Sequence, residues 1–555
     1  MRAVEIVVHN FRSICDATIH LEPCGMLVGA NNSGKSSVID AIRAFYGKGV
    51  KFENGRDFPK KGAADEESWV EIEFEPMPEE LATLKNEYRS ETNTFRVRNY
   101  FVSQTTGEDG KSKVGPYAYV NGDLSNERFY GFKNVGQGKF GEIIYIPAVS
   151  KIDEHTKLTG PSALRDLVNA VLSDVLESSA AYAELCKSFT SFEQSLKNEP
   201  TGDGHSLQSI ESDVSTELEP WGASFRLTIN PVGVDEIVKG LIGHEIVDGE
   251  LGKNQPISSY GQGFQRSVIY TLIKVAAQYT SKVKNPTKKE FSPELKWILF
   301  EEPEAFLHPD QARSLSEALR ALSSIATNQV LMSTHSPLFV SQSIDDLPAL
   351  CRLRRTGCCT RAFQISPTTL REILTDNQSD VQAWQQAGIS VDPADLSVDM
   401  EAIKYALWLD SRRCESFFAE KVLLVEGPSE TALVSYLRDA GKLPSYSGVF
   451  ALDCIGKWNM PRFMRLFGRL GIEHYVIYDD DQGRNAPVGG TISATVNEFT
   501  RRTDSFPKDV EDYLGIPRAS SPHRKPQHIL FQLSSGSVDE KKVQALSAKI
   551  EALLV

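Results

Sequence analysis

Short apolar runs open the chain: residues 3–8 (AVEIVV) and 26–28 (MLV) are bounded by polar or glycine positions, as buried strands are. The second run leads through a glycine-bearing loop into SSVIDAIRAF, whose apolar positions recur every three to four residues, so a strand, loop, helix unit is predicted. Residues 70–75 and 95–103 read as further strands, and the polar TTGEDGKSKVG as a solvent-facing hairpin or loop. From 161 to about 198 the period changes. Leu164, Leu167, Val168, Val171, Leu172 and Val175 follow the i, i+3, i+4, i+7 rule of an amphipathic helix, with a second helical stretch after it. Such an insert packs on its own domain or on a second subunit. Strand and helix alternate again from near 225 to about 365. A polar stretch and a helical linker around 398–418 then precede KVLLV (421–425), a helix (429–440), a strand (448–453), a helix (458–470) and HYVIY (474–478). This predicts a second, parallel α/β unit. No internal repeat and no long low-complexity tract is visible.

At 555 residues and 41% hydrophobic, the chain is expected to form two to four domains. No apolar run approaches the roughly 20 residues that span a bilayer, and MRAVEIVVHNFRS lacks the layout of a signal peptide, so no membrane partner and a cytoplasmic location are expected. The eight cysteines (15, 24, 186, 351, 358, 359, 414, 454) form no CxxC pair, which predicts reduced thiols rather than a disulfide framework or a zinc site. A formal charge of -14 is the wrong sign for a protein that coats nucleic acid non-specifically. It leaves room for a nuclease whose carboxylates are covered by metal ions. RLRR at 352–355 and arginines 462, 465 and 469 either track a phosphate backbone or form solvated faces.

Two groups of residues carry chemistry. GANNSGKS (29–36) is a complete G-x-x-x-x-G-K-S between a strand and a helix. Gly29 and Gly34 let the backbone curl its N–H groups inward, Lys35 brings charge to the β and γ phosphates, and the Ser36 hydroxyl can ligate Mg²⁺. In WILFEEPEAFLHP (297–309) a buried strand ends in paired carboxylates: Glu301 is suited to hold Mg²⁺ and Glu302 to orient or deprotonate the attacking water. His335, in STHSP (333–337), is placed to sense the γ-phosphate, and ISSYGQGFQRS (257–267) offers a second anion-binding nest. The nucleotide set is therefore Asn31, Asn32, Gly34, Lys35, Ser36, Ser37, Ser259, Gly261, Gln262, Glu301 and His335.

The second group lies in the C-terminal unit. KVLLV runs into Glu426-Gly427, Glu430 follows at the start of a helix, and HYVIY ends in Asp479, Asp480 and Asp481, where strand alternation puts Asp479 and Asp481 on one side. Ligands of parallel sheets bind at the carboxyl ends of the strands, so these acids should converge. Carboxylates so gathered repel one another unless Mg²⁺ or Mn²⁺ lies between them, which describes a two-metal phosphodiester site.

The order NFRS, phosphate loop, SYGQG, EE pair and STHSP resembles the ABC-type ATPases of the RecF and SMC kind over about the first 350 residues, which implies ATP held between the heads of a homodimer. Two positions depart from that pattern and bear on turnover: Glu301 stands where Asp is usual, and Tyr260 interrupts the signature loop. VLLVEGPSE with YDDD resembles the Toprim domain of the overcoming-lysogenization-defect (OLD) nucleases, a family shared by the Gabija nuclease subunit. DVEDYL (509–514), with Glu511 as a further metal ligand, and Lys525-Pro526, with Lys525 stabilising the pentavalent phosphate, resemble that family's later motifs. The resemblance implies an α/β multidomain chain: ATPase head (1–155 and 223–375), helical insert (156–222), helical linker (376–418) and Toprim domain (419–555). It further implies ATP and Mg²⁺ or Mn²⁺ as cofactors, and catalysis by Glu302, Glu426, Asp479 and Lys525. Metal ligation falls to Ser36, Glu301, Glu426, Glu430, Asp479, Asp481 and Glu511. The implied partners are DNA, a second copy or larger homo-oligomer, and a helicase-like or other defence protein, and the expected activity is ATP-regulated cutting or nicking of DNA in anti-phage defence. Two rivals are a DNA-end-binding ATPase clamp with a non-catalytic Toprim unit, and a topoisomerase-like enzyme using Tyr436, Tyr475 or Tyr513, which would form a covalent adduct.

Overall fold

The computed structural model describes the chain apart from residues 64, 108–109, 132–139, 149–178, 201, 203, 228–245, 248, 250–253, 256–258, 280–290, 292, 341–343 and 484. The chain forms two compact units, 1–148 with 286–555, and 149–285. The larger unit begins with β1 (Arg2–Phe11), β2 (Ile14–His20), β3 (Cys24–Val28), helix α1 (Lys35–Phe45), β4 (Ser68–Glu75), β5 (Phe95–Val102), β6 (Gly115–Val120), β7 (Asp123–Arg128) and β8 (Glu142–Ile146). The smaller unit contains helices Ala180–Asn198 and Leu207–Leu218, which pack on each other, the short pair β9 (Ile246–Val247) and β10 (Asn254–Gln255), and helix Gln262–Tyr279. The predicted amphipathic run from Leu164 to Val175 lies outside the described residues.

Returning to the larger unit, β11 (Lys296–Glu301), β12 (Asn328–Ser333), β13 (Leu350–Thr356) and β14 (Cys359–Gln364) complete a twelve-stranded sheet ordered β7-β6-β5-β4-β1-β2-β14-β13-β3-β12-β11-β8. From β7 to β2 neighbouring strands are antiparallel, whereas β13, β3, β12, β11 and β8 run parallel. In the parallel half every residue of β3 and β12 is buried, as expected of strands covered on both faces. The carboxyl ends of β3, β11 and β12 therefore share one edge, where the phosphate loop, the paired glutamates and the STHSP segment emerge.

Helix α2 (Pro367–Gln386) follows β14 and begins before the helical linker expected over 376–418. It is capped by Ser366, whose side chain accepts from the Thr369 N–H at 3.1 Å, and it buries Leu370, Ile373, Leu374, Val381 and Trp384 on one stripe. The second sheet is parallel throughout, in the order β16-β15-β17-β18: β15 (Lys421–Val425), β16 (Val449–Asp453), β17 (Glu473–Asp479) and β18 (Thr500–Phe506). Around it lie α3 (Pro428–Asp439), α4 (Met460–Arg469), α5 (Val510–Leu514) and α6 (Lys525–Ser534), with Leu423, Val425, Val434, Leu437, Phe506 and Ile529 in a common core.

The cysteines are not all free: Cys15 and Cys359 form a disulfide with Cα atoms 5.6 Å apart, because the pairing of Thr360 with Ile14 brings β14 alongside β2. Of the singled-out arginines, Arg355 is exposed and the others have partners within the chain. Arg352 is buried and donates to the carbonyls of Phe417 (3.1 Å), Leu470 (3.3 Å), Gly471 (2.8 Å) and Ala419 (2.8 Å), joining the ATPase sheet to the C-terminal unit, and Arg354 pairs with Glu473. Arg462 forms a buried fork with Glu401 at 2.6 and 2.7 Å, Arg465 pairs with Asp380 at 2.6 Å, and Arg469 lies 3.9 Å from Glu372.

Candidate nucleotide and phosphodiester sites

The phosphate loop leaves β3 at Gly29, whose φ of 139° belongs to glycine and whose Cβ, were there one, would lie 2.2 Å from the Leu353 carbonyl oxygen. Gly34 (φ 106°) starts α1, whose first turn holds no acidic residue to compete for its N–H groups. Lys35 is buried and donates to its own loop, at 3.0 Å to each of the Gly29 and Ala30 carbonyls. Burial lowers its pKa to about 8, opposed by the negative charge of Glu302 and Glu304. Asn31, Asn32 and Ser36 are exposed and Ser37 half-buried at the loop mouth.

Across the edge, Glu301 ends β11 opposite Ser333 of β12. Glu302 turns into the left-handed region (φ 43°), tied by its N–H to the Ser333 carbonyl at 2.8 Å, and its carboxylate lies 3.9 Å from His335 Nε2. Strain of this kind at a strand end is characteristic of functional turns. Glu304, which the sequence reading passed over, accepts from Thr334 Oγ1 at 2.9 Å and from the His335 N–H at 2.6 Å, so it ties the glutamate turn to the histidine segment. The E-x-E spacing after the strand was its available signal. Burial and the neighbouring Lys35 lower the pKa of His335, so the ring is neutral at physiological pH and can donate one hydrogen bond. Ser259, Gly261 and Gln262 belong to the smaller unit, where Gly261 immediately precedes helix Gln262–Tyr279.

In the C-terminal unit, Glu426 follows β15, and its Oε1 accepts from the Asp479 N–H at 2.8 Å, pinning the ends of β15 and β17 together. Glu430 sits in the first turn of α3 and accepts from the Gly427 N–H at 3.0 Å. Glu511 comes from α5 and Lys525 is the first residue of α6. The ammonium of Lys525 stands among three carboxylates, 3.5 Å from Glu430, 3.4 Å from Asp479 and 3.5 Å from Glu511. Among the described residues no three such groups close around one point as a finished metal cage; here the chain's own cation lies between them. The donor set nonetheless fits a hard divalent ion. It consists of carboxylate oxygens, and Asp479 Oδ1 is buried without a hydrogen-bond partner. Burial raises the pKa of Glu426 to about 7 and that of Asp479 to about 8, with repulsion from Glu430 adding to each, so a cation is needed to hold both ionised at neutral pH.

Asp481 is not one of the three carboxylates around Lys525, although its charge reaches Glu426. β17 ends at Asp479, so alternation stops there, and Asp481 adopts φ 54° with its carboxylate paired to Lys457. Lys457 is a buried lysine of the β16–α4 connection that the sequence reading missed, and it also donates to the Asp479 carbonyl at 2.8 Å. Tyr436 donates to the Leu533 carbonyl at 3.2 Å, and Tyr475 is buried within β17.

Comparison with known proteins follows this division. An AAA ATPase domain model matches residues 1–134 and 126–340, and an "Overcoming lysogenization defect protein-like, TOPRIM domain" model matches residues 417–481. The chain belongs to the AAA ATPase domain family over residues 1–340 and carries an OLD-like Toprim domain at 417–481. Its relatives include the Old nuclease of Escherichia phage P2, 24% identical over 87% of this chain and 77% of that protein. The OLD nuclease of Thermus scotoductus is 23% identical over 41% of this chain and 36% of its own length. Endonuclease GajA of Bacillus cereus is 23% identical over 39% and 30%. The matched Toprim segment contains Glu426, Glu430, Lys457, Asp479 and Asp481, while Glu511 and Lys525 lie beyond it. Among the described residues no helix is long and apolar enough to cross a membrane.

Proposed function

We propose that this chain is an OLD-type nuclease: an ATP-regulated, divalent-metal-dependent DNA endonuclease or nickase that acts as a homodimer or larger homo-oligomer in anti-phage defence. The observation that carries the reading is the convergence of Glu430, Asp479 and Glu511 on one ammonium beside Glu426, with a buried and unpartnered Asp479 oxygen. The names of the relatives, Old nuclease, OLD nuclease and Endonuclease GajA, support a nuclease; DNA as the substrate and the defence setting rest on the resemblance to the OLD nucleases.

Glu426, Glu430, Asp479 and Glu511 would hold the metal, with Asp481 available at the rim. A divalent ion bound there supplies a hydroxide nucleophile at neutral pH and neutralises charge on the phosphate. Lys525 would leave the carboxylates for the scissile phosphate, where its charge would offset that of the pentavalent state. In the ATPase head, Lys35 would exchange its loop carbonyls for phosphate oxygens. Ser36 and Glu301 would hold Mg²⁺, Glu302 would orient water, and the neutral His335 would bond the γ-phosphate. Ser259, Gly261 and Gln262 would contact the nucleotide of a partner head.

The test is cleavage of supercoiled plasmid in Mg²⁺ or Mn²⁺, with and without ATP, by the wild type, Glu426→Ala and Lys35→Ala. Nicking or linearisation that disappears in Glu426→Ala, with an altered ATP response in Lys35→Ala, is the expected result. Cleavage that persists in chelator or in Glu426→Ala overturns the proposal.

A further inference from the structure

Two lysines serve the acidic site in different ways. Lys525 stands 3.4–3.5 Å from each of its three carboxylates, and its side chain retains 22% of its exposure. These contacts are longer than a close ion pair, with three negative charges facing one positive. Lys457 is held tightly: its side chain keeps 5% of its exposure, and its ammonium donates both to the Asp479 carbonyl at 2.8 Å and to the Asp481 carboxylate. The backbone fixes its origin, because Gly456 (φ 103°) donates its N–H to the Glu426 carbonyl at 2.6 Å immediately before it. Asp481 is the exposed member of this pair, 40% exposed on a turn.

The charge balance therefore differs at the two positions. Around Lys525 an excess of carboxylate remains, which attracts a divalent cation. At Lys457 the ammonium and Asp481 cancel, and little attraction for a second cation is left.

We infer that Lys457 is a positioning residue that sequesters Asp481, so that the resting site has one strong divalent-cation position and acquires a second only when Asp481 turns away from Lys457. The inference rests on the metal-dependent reading above. It goes further in assigning a residue that controls how many metals the site holds: Lys525 gives way to the first ion, whereas Lys457 stays in place and the acid moves.

The test is Mn²⁺ binding to the full-length protein, by calorimetry and by electron paramagnetic resonance of the bound ion, for the wild type, K457M, K457R, D481N and E426A. The wild type should bind one Mn²⁺ tightly and a second at least about tenfold more weakly. In K457M the second affinity should rise about tenfold or more, with a dipolar-coupled Mn²⁺ pair in the spectrum. K457R should restore the single-ion spectrum, and D481N should leave the first affinity unchanged within about twofold while abolishing the second. Two equal sites in the wild type, or weakening of the first ion in D481N, would overturn the inference. If K457M fails to fold, the wild-type stoichiometry and D481N still decide it. Absence of all Mn²⁺ binding by a folded wild type refutes the metal-dependent reading itself, whereas tight binding of two ions that ignores Lys457 refutes only the present inference.

Discussion

At the scale of single residues, the acidic site is held in a state that favours protons or cations over bare charge. Glu426 and Asp479 are raised to about 7 and about 8 by burial, so without metal both carry a proton through much of the range below neutrality. A carboxyl raised in the folded state stabilises the fold at low pH and loses that contribution as pH rises through its folded value. Chelated protein should therefore melt at lower temperature as pH goes from 6 to 9, and Asp479→Asn should flatten the dependence; differential scanning calorimetry at constant ionic strength would show it. Metal binding displaces the same protons, so Mn²⁺ affinity should rise with pH up to about 8, by roughly tenfold per unit for each proton released. In the ATPase head, Glu302→Gln should keep nucleotide binding and lower phosphate release on the order of a hundredfold or more. Lys35→Ala should weaken ATP binding about ten- to a hundredfold, measured with a fluorescent nucleotide. Most of these residues were legible because their motifs are short and sit at strand ends. Lys457 and Glu304 were not, since their roles depend on partners 24 and 31 positions away that only folding brings near.

At the scale of elements, the β13 strand does more than extend a sheet. Its Arg352 guanidinium satisfies four carbonyls from the segments before β15 and before β17, so the ATPase sheet and the Toprim unit share one buried hydrogen-bond node. Arg352→Ala strands those acceptors and should cost about 3 kcal/mol, read as a lower denaturation midpoint. Arg352→Lys should recover little of it, because an ammonium cannot reproduce the planar fork. This node was invisible in the sequence, where RLRR reads as a basic surface run: its acceptors are backbone oxygens 65 to 119 residues away and leave no compositional trace. The parallel strands and the strand, loop, helix unit were legible because apolar runs and periodicity report burial directly. β2, β14 and β18 were not, since their alternating or polar strands match surface segments in composition.

For the whole molecule, the fold class follows from the sequence motifs and from the two families they match, while the covalent connectivity does not. Cys15 and Cys359 are 344 residues apart, and no spacing rule pairs them. Between them lie the phosphate loop, the whole smaller unit (149–285), Glu301 and Glu302, and the STHSP segment. A protease that nicks the oxidised chain anywhere within 16–358 therefore opens a ring without releasing a fragment: the cut chain should run as one band without reductant and as two with it. In the oxidised molecule the smaller unit is thus a covalently closed excursion, which one cut cannot detach from the head that bears it.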